Sequence, residues 1–185
     1  MSAADVSIAT PSAGRALRKA RGSRLPYLIE TAADLEDARQ AWAELEPAGS
    51  AFQTRAWLDA WFAWIGPVIG ARPVFLIVRE RASRRPVVVL PLCLRRRWGV
   101  TIARFPDFGV SDYNAPLCAP DFAPSDAELE ALWAELRLAV PGADLFVFEK
   151  VPETLYGRPS PFARLGWLAP MELNCWTLAL PASRA

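Results

Sequence analysis

The constraint on this chain is the segment Val87–Leu94, read Val-Val-Val-Leu-Pro-Leu-Cys-Leu without a polar residue. So long an apolar run, rich in β-branched residues and followed by a glycine turn, is a strand that must be buried. It ends in three consecutive arginines, Arg95, Arg96 and Arg97, and then in Trp98-Gly99. A second short apolar run, Val100–Ala103, follows. After it comes a polar loop carrying Asp107, Gly109, Ser111, Asp112, Tyr113 and Asn114. Buried strand, basic edge, glycine turn and polar loop together are an arrangement that builds ligand sites at one end of a sheet.

Composition sets what can surround that strand. With 185 residues, 52% of them apolar and 22% charged, the chain has material for a well-buried core. The eight tryptophans are expected mostly in that core. A net charge of +1 gives no support to a nucleic-acid surface, and no apolar run reaches the roughly 18 residues of a membrane helix. There is no histidine, which removes Ser-His-Asp and Cys-His catalysis and His-ligated metals. No metal is expected, and a general base must be Asp, Glu, Tyr, Cys or water. Three cysteines without paired spacing, Cys93, Cys118 and Cys175, fit a reducing, cytoplasmic setting. Cys93 is expected to be inert core and Cys118 a loop thiol.

In chain order, residues 1–24 are Ala/Ser/Gly-rich and carry Arg15, Arg18, Lys19, Arg21 and Arg24. They lack the apolar stretch of a secretory signal, so a flexible basic tail is expected, with a weak basic anchor to an acidic membrane surface as the alternative. Leu25–Glu30 is a strand. Thr31 with Asp34 predicts a capped helix reaching Glu46, with Leu35, Ala38, Trp42 and Leu45 inward. Thr54 predicts the N-cap of a second helix to Ile65, whose aromatic stripe, Trp57, Trp61 and Phe62 among it, is core packing. Pro73–Arg79 and Val87–Leu94 read as an antiparallel pair across the charged turn Glu80–Arg85, and Val100–Phe105 as a further strand. Ser125 and Glu128 form a capping box for a helix ending near Val140. Leu145–Phe148 is a strand, Phe162–Leu165 a short helix and Asn174–Leu180 a last strand. The fold class is α/β (α+β): a mixed, largely antiparallel sheet with helices packed on it. One domain over 25–180 is expected, with 181–185 a tail.

Two places carry candidate chemistry. Arg96-Arg97-Trp98-Gly99-Val100-Thr101 partly matches the Arg/Gln-x-x-Gly-x-Gly/Ala turn with which acetyl-CoA-dependent acetyltransferases cradle pyrophosphate. In those turns backbone N–H groups and a following helix N-terminus face the anion. Here Thr101 takes the place of the last small residue and the next segment reads as extended. A solvated basic strand end is therefore the competing reading. The loop Asp107–Asn114 also has two readings: substrate contact through its carboxylates and Tyr113, or turn chemistry through local Asp and Asn bonds.

Phe52-Gln53-Thr54 with Trp57-Leu58 and Trp61, then Leu90-Pro91-Leu92 running into arginines, then Gly109 with Ser111-Asp112-Tyr113 and Pro116, resembles the N-terminal half of the CelD-like acetyltransferases. These belong to the GNAT superfamily and are related to the Fem-type aminoacyltransferases, which join two GNAT-like halves. The resemblance spans roughly 25–180. It implies a GNAT-like sheet and an acyl-CoA-dependent N-acyltransferase, associated with cellulose or exopolysaccharide production. The donor would be acetyl-CoA and the acceptor a small-molecule or saccharide amine. It implies Asp112 and Tyr113 as catalytic groups, Arg96, Arg97 and Gly99 as coenzyme contacts, and Asp107, Ser111, Asn114 and Arg95 as substrate contacts. The second half of such proteins carries the better coenzyme site, so a second GNAT-like half, or self-association, is the expected partner. A catalytically silent half that needs a partner chain, and an unrelated α/β domain, are the alternatives.

Overall fold

A computed structural model describes residues 25–140, 142–155, 158–166 and 168. The basic tail, the final strand expected at Asn174–Leu180, Cys175 and residues 181–185 lie outside them. The central strand, β3 (Pro86–Arg97), is buried from Pro86 through Leu94. It pairs antiparallel with β2 (Arg72–Glu80), which pairs antiparallel with β1 (Tyr27–Ala32). On its other edge β3 is shared. Its arginine end pairs with β4 (Val100–Arg104), and Val88–Val89 pair with a two-residue β5 (Leu117–Cys118). Beyond β4 lies β6 (Leu145–Val147), in parallel register, Ile102 beside Leu145. The result is a mixed sheet, largely antiparallel, with helices packed on it. A separate small hairpin joins β7 (Thr154–Leu155) to β8 (Arg158–Pro159).

Register explains why β3 has no polar residue before Arg95. Phe75 lies opposite Pro91, so Phe75, Pro91 and Cys93 share one face, while Leu90, Leu92 and Leu94 share the other. Trp42 of α1 (Arg39–Leu45) and Phe62 of α2 (Arg55–Trp64) both meet Phe75 edge-on, at 6.0 and 5.7 Å between ring centroids. On the opposite face, Trp133 of α3 (Asp126–Ala139) packs edge-on to Phe146 at 5.2 Å. The Thr31 hydroxyl also donates to Ala139 O at 3.1 Å. A strand covered on both faces has no side on which a polar residue is cheap.

Two expectations are corrected. Thr31 does not cap a helix: it is a strand residue opposite Leu76. The chain turns through Asp34, whose carboxylate accepts from Asp37 N, and becomes helical only at Arg39, behind an uncapped Ala38. A β-branched residue beside the open edge of β2 completes a ladder there, and the capping pattern loses to it. Cys118 is not a loop thiol but the second residue of β5, and burial pushes its thiol up to about 12. A two-residue strand between prolines has no period to read. The connection from β4 through α3 to β6 is a parallel crossover, the one parallel step among the described pairings and the one that makes the sheet mixed.

The remaining helices start where their caps predict. Thr54 accepts from Trp57 N at 3.3 Å, and the Ser125–Glu128 box is formed in both directions. Cys93 is buried in β3, where desolvation pushes its thiol up to about 11 in spite of Arg104 and Arg95 nearby. No described helix is long and apolar enough to cross a membrane.

Candidate functional site

The polar loop leaves the sheet where β4 and β5 divide the edge of β3, and three buried polar side chains decide its shape. Trp61 Nε1 of α2 donates to Asp107 O at 3.0 Å. Gln53, 2% exposed, donates through Nε2 to Ala115 O at 2.7 Å and Pro116 O at 2.9 Å. Between these pins, Asp107 turns its carboxylate inward and gathers the loop. Oδ1 accepts from Gly109 N and Ser111 N at 3.0 and 2.9 Å. Oδ2 accepts from Asn114 Nδ2 at 3.3 Å and lies 3.0 Å from Lys150 Nζ. Burial by itself raises the Asp107 pKa, but the Ser111 N–H, Lys150 and Asn114 together outweigh it and hold the carboxyl below its ordinary value. Lys150 Nζ also donates to Ser111 O at 2.8 Å, and Asn114 Nδ2 to Glu149 O at 3.1 Å. The loop is thereby fastened to the segment after β6.

Asp107, Ser111 and Asn114 are thus buried and engaged with one another, apart from Ser111 Oγ, which is buried without a partner. Asp112 points the other way. It is exposed and makes no hydrogen bond or ion pair among the described residues. Tyr113 beside it is half-buried, its ring edge-on to Phe52 at 5.2 Å, and Phe52 is in turn edge-on to Trp57 at 5.3 Å. The loop therefore presents one carboxylate next to an aromatic phenol on a rigid base.

Arg96, Arg97 and Gly99 lie elsewhere, at the tip of the β3–β4 hairpin. Trp98 and Gly99 occupy its two-residue turn with φ of +49° and +84°, the left-handed pair of a type I′ turn. Strand β4 starts at once, so no helix N-terminus faces this turn. A shallow pocket, enclosing about 230 Å³ including open solvent, is lined by Trp61, Cys93, Arg95, Arg104 and Phe108 among others. It includes Arg95 but neither Asp112 nor Tyr113.

The helix that could face an anion is α3, which follows β4 in the parallel crossover. Its N-terminus is capped. Ser125 Oγ accepts from Glu128 N, and Glu128 Oε2 accepts from Ser125 N at 2.9 Å. Asp126 and Glu128 place two carboxylates in the first turn. Two of the four orphan N–H groups, those of Ser125 and Glu128, are thereby satisfied from within, and the first-turn carboxylates oppose a bound anion, although Arg164 pairs with Asp126 at 3.2 Å. The hairpin therefore offers acetyl-CoA no helix N-terminus, and the one at α3 is partly occupied by its own capping box. No group of three or more Cys, Asp or Glu side chains among the described residues converges as metal ligands.

Gln53, Trp61 and Lys150, which shape the site, were not legible as site residues. Gln53 closes a capping box on Ser50 in a single short turn, a local role that hides its reach to Ala115 and Pro116, and Lys150 reaches the loop across 39 positions of sequence.

No family model matches the sequence, and no curated protein is similar to it. Among solved structures, an acetyltransferase of Trypanosoma brucei superposes with a TM-score of 0.41 at 12% identity. The match covers 82% of this chain and 99% of that one.

Proposed function

We propose that this chain is a GNAT-type N-acyltransferase domain of CelD-like kind that is incomplete alone, offering the acceptor side of a cleft whose acyl-CoA is held by a second half. The carrying observation is the parallel crossover from β4 through α3 to β6, built as a nucleotide-binding unit is built, with its anion-binding helix end occupied in part by the Ser125–Glu128 capping box. An architecture that keeps the crossover while partly closing the phosphate cradle is suited to a structural or acceptor-binding task. The exposed Asp112 carboxylate attracts the ammonium form of a small-molecule or saccharide amine and is placed to take its proton. Tyr113, braced on Phe52, orients the acceptor, and Asp107, Ser111 and Asn114 hold the loop that presents both.

Calorimetric titration of acetyl-CoA into the chain is expected to give no saturable heat at millimolar coenzyme. Micromolar binding that disappears on changing Gly99 would overturn this reading and restore the hairpin as a coenzyme turn. With glucosamine as the probe amine, Asp112→Ala is expected to abolish binding seen by chemical-shift perturbation, while leaving stability within about 0.5 kcal/mol because the side chain is exposed and unpartnered. Unchanged glucosamine binding would reject Asp112 as the acceptor contact.

The fastened loop also favours a second reading, a catalytically silent scaffold half. Acyl transfer that appears on supplying a second GNAT half, and that is indifferent to Asp112→Ala, is the result that reading requires.

A further inference from the structure

Two turns of this protein share an unusual construction. Trp98-Gly99 and Phe108-Gly109 each place an aromatic residue at positive φ, +49° and +55°, before a glycine at +84°. Bulky side chains are rare in that region, and each such residue stores backbone strain. Both aromatic rings are nevertheless turned outward, Trp98 86% and Phe108 54% exposed. A Cβ built on either glycine would meet nothing within 4 Å, so both turns are convex tips.

Each ring also carries an arginine. The Arg97 guanidinium lies 4.0 Å from the Trp98 ring centroid and that of Arg95 5.9 Å from Phe108. By strand alternation Arg95 and Arg97 share one face of β3. Trp98, Arg97, Arg95 and Phe108 therefore form one continuous stripe, flanked by the exposed Val100 and Val110. Among the described residues Arg95 and Arg97, like Arg96 beside them, have no carboxylate partner, whereas Arg55, Arg79, Arg85 and Arg104 are ion-paired and Arg72, Arg81, Arg137 and Arg158 are not.

We propose that this stripe is a peripheral docking surface for an anionic lipid bilayer. The charge is complementary, with two guanidiniums, Arg95 and Arg97, on the same face for lipid phosphates. The shape is that of an inserter: two aromatic tips with cations immediately behind them match the headgroup boundary, where amphipathic rings settle. Between the tips Arg95 and Phe108 line only a shallow pocket, whereas both glycine turns are convex. The proposal stands independently of the acyltransferase reading.

The test is co-sedimentation of the full chain with vesicles of phosphatidylcholine alone or with 30% phosphatidylserine. Retention on the anionic vesicles only, released by 0.5 M salt, is expected. Arg95→Gln with Arg97→Gln should weaken it about 25-fold, at about fivefold per arginine. Trp98→Ala with Phe108→Ala should weaken it about tenfold or more while keeping the wild-type urea midpoint. Trp98→Phe should remove the blue shift of tryptophan emission on binding. No retention would overturn the proposal. Retention unchanged in the arginine variants would also overturn it, assigning binding to Arg15–Arg24. Capture of poly-glutamate, lost in the same variants without vesicle binding, would replace the bilayer with an acidic protein partner.

Discussion

Asp107→Ala is expected to lower stability by about 3 kcal/mol and to loosen the loop that carries Asp112 and Tyr113. The substitution removes the acceptor of two backbone N–H groups, Gly109 and Ser111, and of Asn114 Nδ2, and it strands the Lys150 ammonium. Breaking a buried charge pair by deleting one partner costs about 3–5 kcal/mol. The lower end applies because Lys150 keeps 27% of its side-chain surface and a second bond, to Ser111 O. Asp107→Asn, which keeps an acceptor but not the charge, should fall between variant and wild type. The pH dependence follows from the direction of the shift. The folded-state pKa is below the unfolded value of about 3.9, so the contribution is complete above that pH and is lost as pH falls through it toward the folded value. Urea unfolding at pH 7 and pH 3 reads both effects: the gap between wild type and Asp107→Ala should narrow at pH 3. A gap of the same size at both pH values would show that the carboxylate charge is not what holds the loop.

Trp42→Ala is expected to be larger still, about 4 kcal/mol. Trp42 is fully buried on α1, edge-on to Phe75, and fixes the helix layer to the sheet face that also bears Pro91 and Cys93. Its Nε1 is buried without a partner, so the residue contributes through shape and area, not hydrogen bonding. Trp42→Phe, which keeps a ring and removes the unpaired N–H, should therefore cost less than about 1.5 kcal/mol. Trp64→Ala, at a residue 78% exposed, should stay within about 0.5 kcal/mol. Chemical denaturation of the three variants separates these cases, and comparable losses for Trp42→Ala and Trp64→Ala would contradict the packing described.

The long elements were legible because each carries its own signal. Val87–Leu94 could only be a buried strand, Thr54 and Ser125 bring their capping partners within three residues, and the 3.6-residue stripe of α3 runs over Leu129, Leu132, Trp133 and Leu136. The first helix was misplaced at Thr31 because the same residues satisfy a cap and an edge pairing, and only the presence of β2 alongside decides between them. At the candidate site, the Asp107–Asn114 loop was recognisable as polar and turn-rich. Which of its carboxylates faces solvent was not, since Asp107 and Asp112 are chemically alike in the sequence.

What the sequence by itself determined was the set of local elements and the exclusions: a buried central strand, three amphipathic helices, a basic hairpin end, and no histidine for catalysis or metals. Tertiary structure alone decided that Lys150 turns Asp107 inward and leaves Asp112 outside, that the helix capped by Ser125 and Glu128 lies in a parallel crossover, and that Arg95 joins Phe108 to the hairpin tip. The physical reason is range. Periodicity and capping act over three or four residues, whereas pairing a buried charge or sharing a sheet edge depends on groups that folding brings together from distant positions.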